Sequence, residues 1–282
     1  MLRGALPWVL LAATGNAQLY TTDAGVSSPE VPNLKQRFEW FARARSDELR
    51  AETRLAYSPD RLVQLDLVVP FVSRRVEVAG GATGTQEGLG DLTVATKWAL
   101  LREDDVMRSD RLSALLDLRL PTGGDDARVD GKGRGRRTAL GLSTFGAGAG
   151  LGYTLVRDRH RAAAAFRYWQ WQKDDGFDPG EAVTLDLAWW YRLSPSRFFA
   201  GHDESEYRLT VELLSRWQAD DRQGSVRNDN GGHELTAVLG LQCNLTGTAG
   251  VEAGILVPIE ATTSSPFGHE RFGFSLSFRL WF

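Results

Sequence analysis

The sequence predicts an all-β protein, a single transmembrane antiparallel β-barrel of about twelve strands. Three observations lead there. The closing stretch, Arg271 to Phe282, alternates without a break. Phe272, Phe274, Leu276, Phe278, Leu280 and Phe282 fall on one face, and Arg271, Gly273, Ser275, Ser277, Arg279 and Trp281 on the other. A period of two is the signature of an extended strand. The same pattern recurs along the chain at strand length, while no run approaches the roughly 18 apolar residues of a membrane helix. Barrel strands hide from hydropathy in this way because each dilutes its greasy face with a polar one. Finally, the connections alternate between short turns and long polar loops.

The first residues read as an export signal: Arg3 is the positive start, Ala5 to Ala13 a short apolar core, and Gly15-Asn16-Ala17 the small residues of a cleavage site. The expected division is a signal peptide over 1–17, a periplasmic lead over 18–33 carrying Pro29 and Pro32, and the barrel over 34–282. Gln18 rules out a lipid-anchor cysteine at the cleavage point. Phe38, Trp40, Ala42 and Ala44 then oppose Arg37, Glu39, Arg43 and Arg45. Next, Leu49, Ala51, Thr53, Leu55 and Tyr57 oppose Glu48, Arg50, Glu52 and Arg54. Helix propensity is high across Asp47 to Ala56, but apolar residues at every second position favour a strand.

After the turn Ser58-Pro59-Asp60 come Val63 to Phe71, Leu92 to Leu100 and Leu112 to Leu120, each alternating. A glycine-rich strand follows over about Thr138 to Leu155, then Arg161 to Trp171, Val183 to Tyr191, Tyr207 to Trp217, Leu235 to Leu241, Val251 to Val257 and the closing strand. An even count puts both termini on one side, the periplasmic one in single-chain bacterial barrels. Parity then sends Val72–Gly88, Pro121–Arg137, Gln172–Glu181, Ala219–Gly232 and Pro258–Glu270 to the outer side. Ser58–Asp60, Arg102–Asp110, Arg157–Arg161 and Asn244–Thr246 go to the inner side, with Ser194–Glu206 the long exception. Short inner turns and long outer loops are the asymmetry such barrels show.

The net charge of −3 gives no pull toward nucleic acid. Cys243 is the only cysteine, so there is no internal disulfide and no thiolate zinc site; no cofactor or metal is expected. His160, His202, His233 and His269 are split by parity between the two ends. His202-Asp203 with Ser205 is suggestive, but neighbours in sequence do not make a triad, which needs convergence in space; the chain is expected not to be an enzyme. Gly131 to Arg137 is glycine-rich and basic yet lacks the order of a phosphate loop, and reads as an outer loop tip suited to lipopolysaccharide phosphates.

Two resemblances sharpen this. A strand that closes the chain on an aromatic residue, here Phe282, resembles the last strand of bacterial outer-membrane barrels, in which it is part of the signal read by the barrel-assembly machinery. Val69-Pro70-Phe71, then Gly88-Leu89-Gly90-Asp91-Leu92-Thr93 with Lys97-Trp98, then Leu120-Pro121-Thr122-Gly123-Gly124-Asp125 resemble the outer-membrane family of the MetA pathway of phenol degradation. That likeness runs from about Asp60 to Tyr153 and more loosely through Gly247 to Phe282. It implies a barrel in the cell outer membrane of a Gram-negative bacterium, in contact with lipid and lipopolysaccharide, that moves a small, hydrophobic or aromatic solute. The polar register supplies the candidate constriction: Lys97, Asp117, Arg119, Arg167, Asp186, Arg208, Glu212 and Arg216. The alternatives are a neutralised, purely structural lumen, a non-transporting barrel that binds a ligand or partner with its outer loops, and an outer-membrane hydrolase.

Overall fold

In the computed structural model, residues 32–43, 46–77, 83–105, 108–124, 128–129, 132–133, 140, 144–174, 176–195, 205–227, 231–246, 249–262 and 270–282 are described. Twelve antiparallel strands close into a barrel. They are β1 (Asn33–Arg43), β2 (Ser46–Tyr57), β3 (Val63–Glu77), β4 in two segments (Thr83–Leu89 and Leu92–Asp105), β5 (Arg108–Leu120) and β6 (Gly146–Arg157). Then come β7 (His160–Trp171), β8 (Ala182–Ser194), β9 (Glu206–Gln218), β10 (Gly232–Thr246), β11 (Ala249–Ala261) and β12 (Glu270–Trp281). Each strand pairs with its chain neighbours, and β12 returns to β1 from Trp281 opposite Asn33 to Phe272 opposite Ala42. The Phe282 N–H donates to the Pro32 carbonyl at 3.0 Å, so the seam is sewn to its last residue. Closure removes the free edges of the twelve-strand wall.

Side chains are sorted inside out relative to a soluble protein. Phe272, Phe274, Leu276 and Phe278 of β12 are exposed, whereas Ser275, Ser277 and Arg279 between them are buried. The same holds for exposed Leu65 and Leu67 against buried Gln64 and Asp66 on β3, and for exposed Tyr207 and Val211 against buried Glu206 and Glu212 on β9. Lipid accounts for an apolar belt running right round a closed barrel. This is a transmembrane barrel. Near the seam Trp40 meets Phe272 edge-on at 5.3 Å and stacks on Phe274 at 6.1 Å.

The ladders outlast the apolar alternation, and this corrects several expected loops. Most of Val72–Gly88 is strand rather than loop: β3 runs to Glu77 and pairs with Thr83–Leu89, Phe71 opposite Leu89, while 78–82 lie outside the described residues. Arg102–Asp110 is not a nine-residue turn, since β4 and β5 stay paired to Asp105 opposite Arg108. There Arg111 reaches Asp104 at 3.0 Å and Arg157 reaches Asp110 at 2.9 Å, cross-strand bonds that hold a ladder no apolar face supports. Asn244–Thr246 is still strand, with Asn244 Nδ2 bonded to Glu206 at 2.9 Å, and β11 begins at Ala249. The glycine-rich strand starts at Gly146 rather than Thr138. Pro258 to Ala261 extends β11, and Ala219–Gly232 holds a hairpin, Arg222–Gln223 with Val226–Arg227, which also pairs with Phe177–Asp178. Asp47 to Ala56 is strand throughout. Residues 1–31, His202, His269, Arg45 and most of Gly131–Arg137 lie outside the described residues.

Folded protein in mild detergent is expected to migrate differently from boiled protein on a gel. Phe278→Asp, an acidic group among lipid-facing aromatics, opposes insertion, at less than the roughly 2–4 kcal/mol of Arg or Lys at mid-bilayer; a smaller heat-shifted fraction is the expected readout.

Candidate functional site

The lumen has two halves. At the end that carries the termini and short turns it is filled by charged side chains. Lys35 Nζ donates to Glu252 Oε2 at 2.7 Å, Arg279 approaches the other oxygen at 3.5 Å, and Arg208 binds Glu206 at 2.6 Å. Arg161 lies over Trp190 and Arg279 over Trp281. Toward the loop end Phe41, Val238 and Leu256 pack together on one wall, with Leu214 against them. The opposite wall, formed chiefly by β2 to β5, β7 and β8, is hollowed by a cavity of about 390 Å³.

Six of the eight candidate residues line this cavity: Lys97, Asp117, Arg119, Arg167, Asp186 and Arg216. The other two do not. Arg208 is engaged with Glu206 in the turn-end half, and Glu212 is buried at 1% exposure. Within the cavity, Arg167 Nε donates to Asp117 at 2.9 Å, Arg54 to Asp66 at 2.8 Å and Arg37 to Glu52 at 2.7 Å. Arg216 bonds to neutral Gln218 at 3.0 Å. Asp186 has no ion-pair partner among the described residues, whereas nearby Asp117 takes up Arg167. Counting Arg37, Arg54, Glu52 and Asp66 with the six candidates, the lining holds six basic and four acidic side chains. An unbalanced positive field is what favours anions in a pore.

Trp169 and Trp171 are the residues that the polar register missed. Both point inward and stack with ring centroids 6.1 Å apart at 21°. Their space comes from β6, whose Gly146, Gly148, Gly150 and Gly152 occupy every lumen-facing position of that stretch. A Cβ on Gly146 would sit 2.9 Å from Trp171 Nε1, and one on Gly148 2.9 Å from the Trp169 ring. The signal was present: a Gly-x-Gly-x-Gly-x-Gly strand beside a Trp-x-Trp strand, register partners at Trp169–Gly148 and Trp171–Gly146. Trp171 is 9% exposed and its Nε1 has no hydrogen-bond partner among the described residues.

The motifs that carried the resemblance meet at the rim above this cavity. Asp91, 1% exposed, accepts the Gly123 N–H at 3.1 Å and the Arg119 guanidinium at 3.2 Å. The Leu92 N–H donates to Thr122 Oγ1 at 2.9 Å, and Gly124 N–H to the Leu89 carbonyl at 3.2 Å. Gly90 N–H donates to Pro70 O at 2.9 Å, and a Cβ there would meet Pro70 Cγ at 3.1 Å and the Leu140 carbonyl at 3.2 Å. Gly-Leu-Gly-Asp and Leu-Pro-Thr-Gly-Gly are therefore two halves of one corner, which breaks β4 and holds Arg119 at the cavity mouth.

The family model described as "Putative MetA-pathway of phenol degradation" matches residues 39–278. The chain belongs to this family. Among solved structures, the COG4313 outer membrane channel from Pseudomonas putida F1 is similar at a TM-score of 0.76 and 14% identity, over 94% of this chain and 100% of that one. The KdgM porin (TM-score 0.44, 11% identity, 88% of this chain and 98% of that one) and the NanC porin (TM-score 0.46, 11% identity, 88% and 98%) are more distant. None of the curated proteins matches the sequence. At these identities the first of the three structures speaks for the fold.

Of the histidines, His160 packs against Trp189 and Tyr191 on the outward face, and Ser205 donates to the Leu245 carbonyl. Gly148→Val is expected to displace Trp169 from its seat, read as a red shift of tryptophan emission with the heat-shifted gel band retained. Removing the shared acceptor with Glu252→Ala leaves Lys35 and Arg279 buried without it. Breaking one partner of a buried pair costs about 3–5 kcal/mol, and a lower unfolding temperature in detergent is the measurement.

Proposed function

We propose that the protein is an outer-membrane channel or transporter for small molecules, hydrophobic and aromatic ones among them, acting through a narrow charged lumen. The loop end faces outward and the termini face the periplasm. The observation that carries this reading is the cavity itself: a solute-sized hollow inside a closed membrane barrel, lined by an excess of basic groups and floored by ion pairs. The stacked Trp169 and Trp171 offer a planar ring a surface to lie on. Family membership and the shared fold with an outer membrane channel support the same reading.

A barrel of this size is filled largely by its own side chains, and the Lys35, Glu252, Arg279 and Arg208 cluster closes the turn-end half. Flux is therefore small and selective rather than open. In planar bilayers the protein is expected to show low conductance with a reversal potential on the anion side, because six basic groups face four acidic ones in the cavity. Arg216→Glu, which reverses a basic side chain of the cavity lining, should move the reversal potential toward cations. The shift should be larger at low salt, where the Debye length grows from about 10 Å at 0.1 M to about 30 Å at 0.01 M. A reversal potential unmoved at either salt, with the unfolding temperature lowered, would assign these charges to the scaffold instead.

A further inference from the structure

Near the loop end of β9, β10 and β11 the outward face of the barrel breaks its apolar pattern. In β9 the outward row reads Tyr207, Leu209, Val211, Leu213, Ser215, Trp217, so Ser215 is a hydroxyl in a greasy stripe. His233 leads the outward row of β10, and Glu260 stands near the end of β11. The register puts Trp217 opposite His233, Ser215 opposite Leu235, and Leu235 opposite Glu260. Three consecutive strands thus converge on one spot. Ser215 Oγ and His233 Nε2 are 2.9 Å apart, and His233 Nδ1 faces Glu260 Oε2 at 3.8 Å. The histidine backbone is fixed, since its N–H donates to Thr262 Oγ1 at 2.8 Å and its carbonyl accepts the Thr262 N–H at 2.8 Å. Leu185 and Leu235, the register partners of Ser215, complete an apolar surround.

A hydroxyl, an imidazole bonded to it through one nitrogen, and a carboxylate beside the other nitrogen are the parts of serine acyl transfer, which are recognised by geometry and not by chain order. We propose that Ser215, His233 and Glu260 form a lipid-facing hydrolytic site for long-chain acyl esters of membrane lipids. Ser215 Oγ attacks the ester carbonyl carbon while His233 Nε2 takes the hydroxyl proton. The bond from that carbon to the lipid alcohol oxygen breaks, and His233 returns the proton to the departing oxygen. Glu260, an exposed side chain, closes from 3.8 Å onto Nδ1–H as the imidazolium forms. Water then attacks the acyl-Ser215 ester, losing its proton to His233, which protonates Ser215 Oγ as the fatty acid leaves. Nothing is oxidised or reduced. The site rests on the membrane reading of the barrel but not on solute passage through its lumen.

The test uses the full-length protein folded in detergent. A fluorophosphonate probe should form an adduct that peptide mass spectrometry places on Ser215, absent in Ser215→Ala and slowed about a hundredfold in His233→Asn, within the range that general acid–base catalysis spans. Phosphatidylethanolamine and lipid A, presented in separate mixed micelles, distinguish the two sources of acyl ester. Fatty-acid release from either one, lost in Ser215→Ala while bilayer conductance and heat-shifted mobility stay at the wild-type level, supports the proposal. Absence of an adduct on Ser215, release that survives Ser215→Ala, or an adduct with no release from either lipid overturns it.

Discussion

In hydrocarbon no water is present to take up a backbone N–H or C=O, so each strand that faces lipid must satisfy its ladder on both sides. The pairing of β12 with β1 meets that constraint, and the rest of the molecule follows from it. Once Trp281 lies opposite Asn33 and the Phe282 N–H is bonded to Pro32, the twelve strands form a ring without edges. The side-chain period of two then leaves only inward and outward positions. Aromatic and aliphatic residues take the outward ones, and the Arg, Glu and Asp side chains within the spanning strands turn inside, where most of them pair. The ion pairs Lys35–Glu252, Arg54–Asp66 and Arg167–Asp117 are a consequence of closure.

An interior filled with long charged side chains would leave no room for a solute, and the local sequence of β6 and β7 shows how room is made. Four glycines at consecutive inward positions remove side chains from one stripe of the wall, and the indoles of the next strand fold down over that stripe. Apolar Phe41, Val238, Leu256 and Leu214 fill the other wall, so the hollow is off-axis. At its mouth the Asp91 carboxylate holds Arg119 through one oxygen and the loop after β5 through the other.

Much of this was legible in the chain. Alternation alone assigned the outward and inward rows of β1, β2, β5, β9 and β12, and it separated strand from helix over Asp47 to Ala56, where propensity pointed the other way. Strand ends were not legible, because a ladder that leaves the membrane loses its apolar face but keeps its hydrogen bonds. Beyond Leu101 and beyond Phe71 the pattern dissolves into Arg, Asp, Ser and Glu while the pairing persists. The charged candidates came from the polar register, which selects by chemistry and cannot report depth; Arg208 was therefore grouped with residues that lie in the other half of the lumen, and Glu212 with residues that line a cavity it does not reach. Trp169 and Trp171 fell outside the polar register for the converse reason. They are inward-facing but apolar, and only the glycines opposite them explain why an indole fits there.

The account stands on the cavity beside β7 and β8 being the path of a solute. Its most direct test is thiol blockade in a Cys243→Ser background, which removes the native thiol from the outward row of β10. A cysteine placed at Thr184 in the cavity lining, modified with a bulky methanethiosulfonate reagent added from the loop side, is predicted to cut single-channel conductance sharply. The same modification at Phe274 on the lipid face should leave conductance unchanged. Full conductance through a protein shown by mass to be modified at position 184 would contradict the account and place the path elsewhere in the barrel.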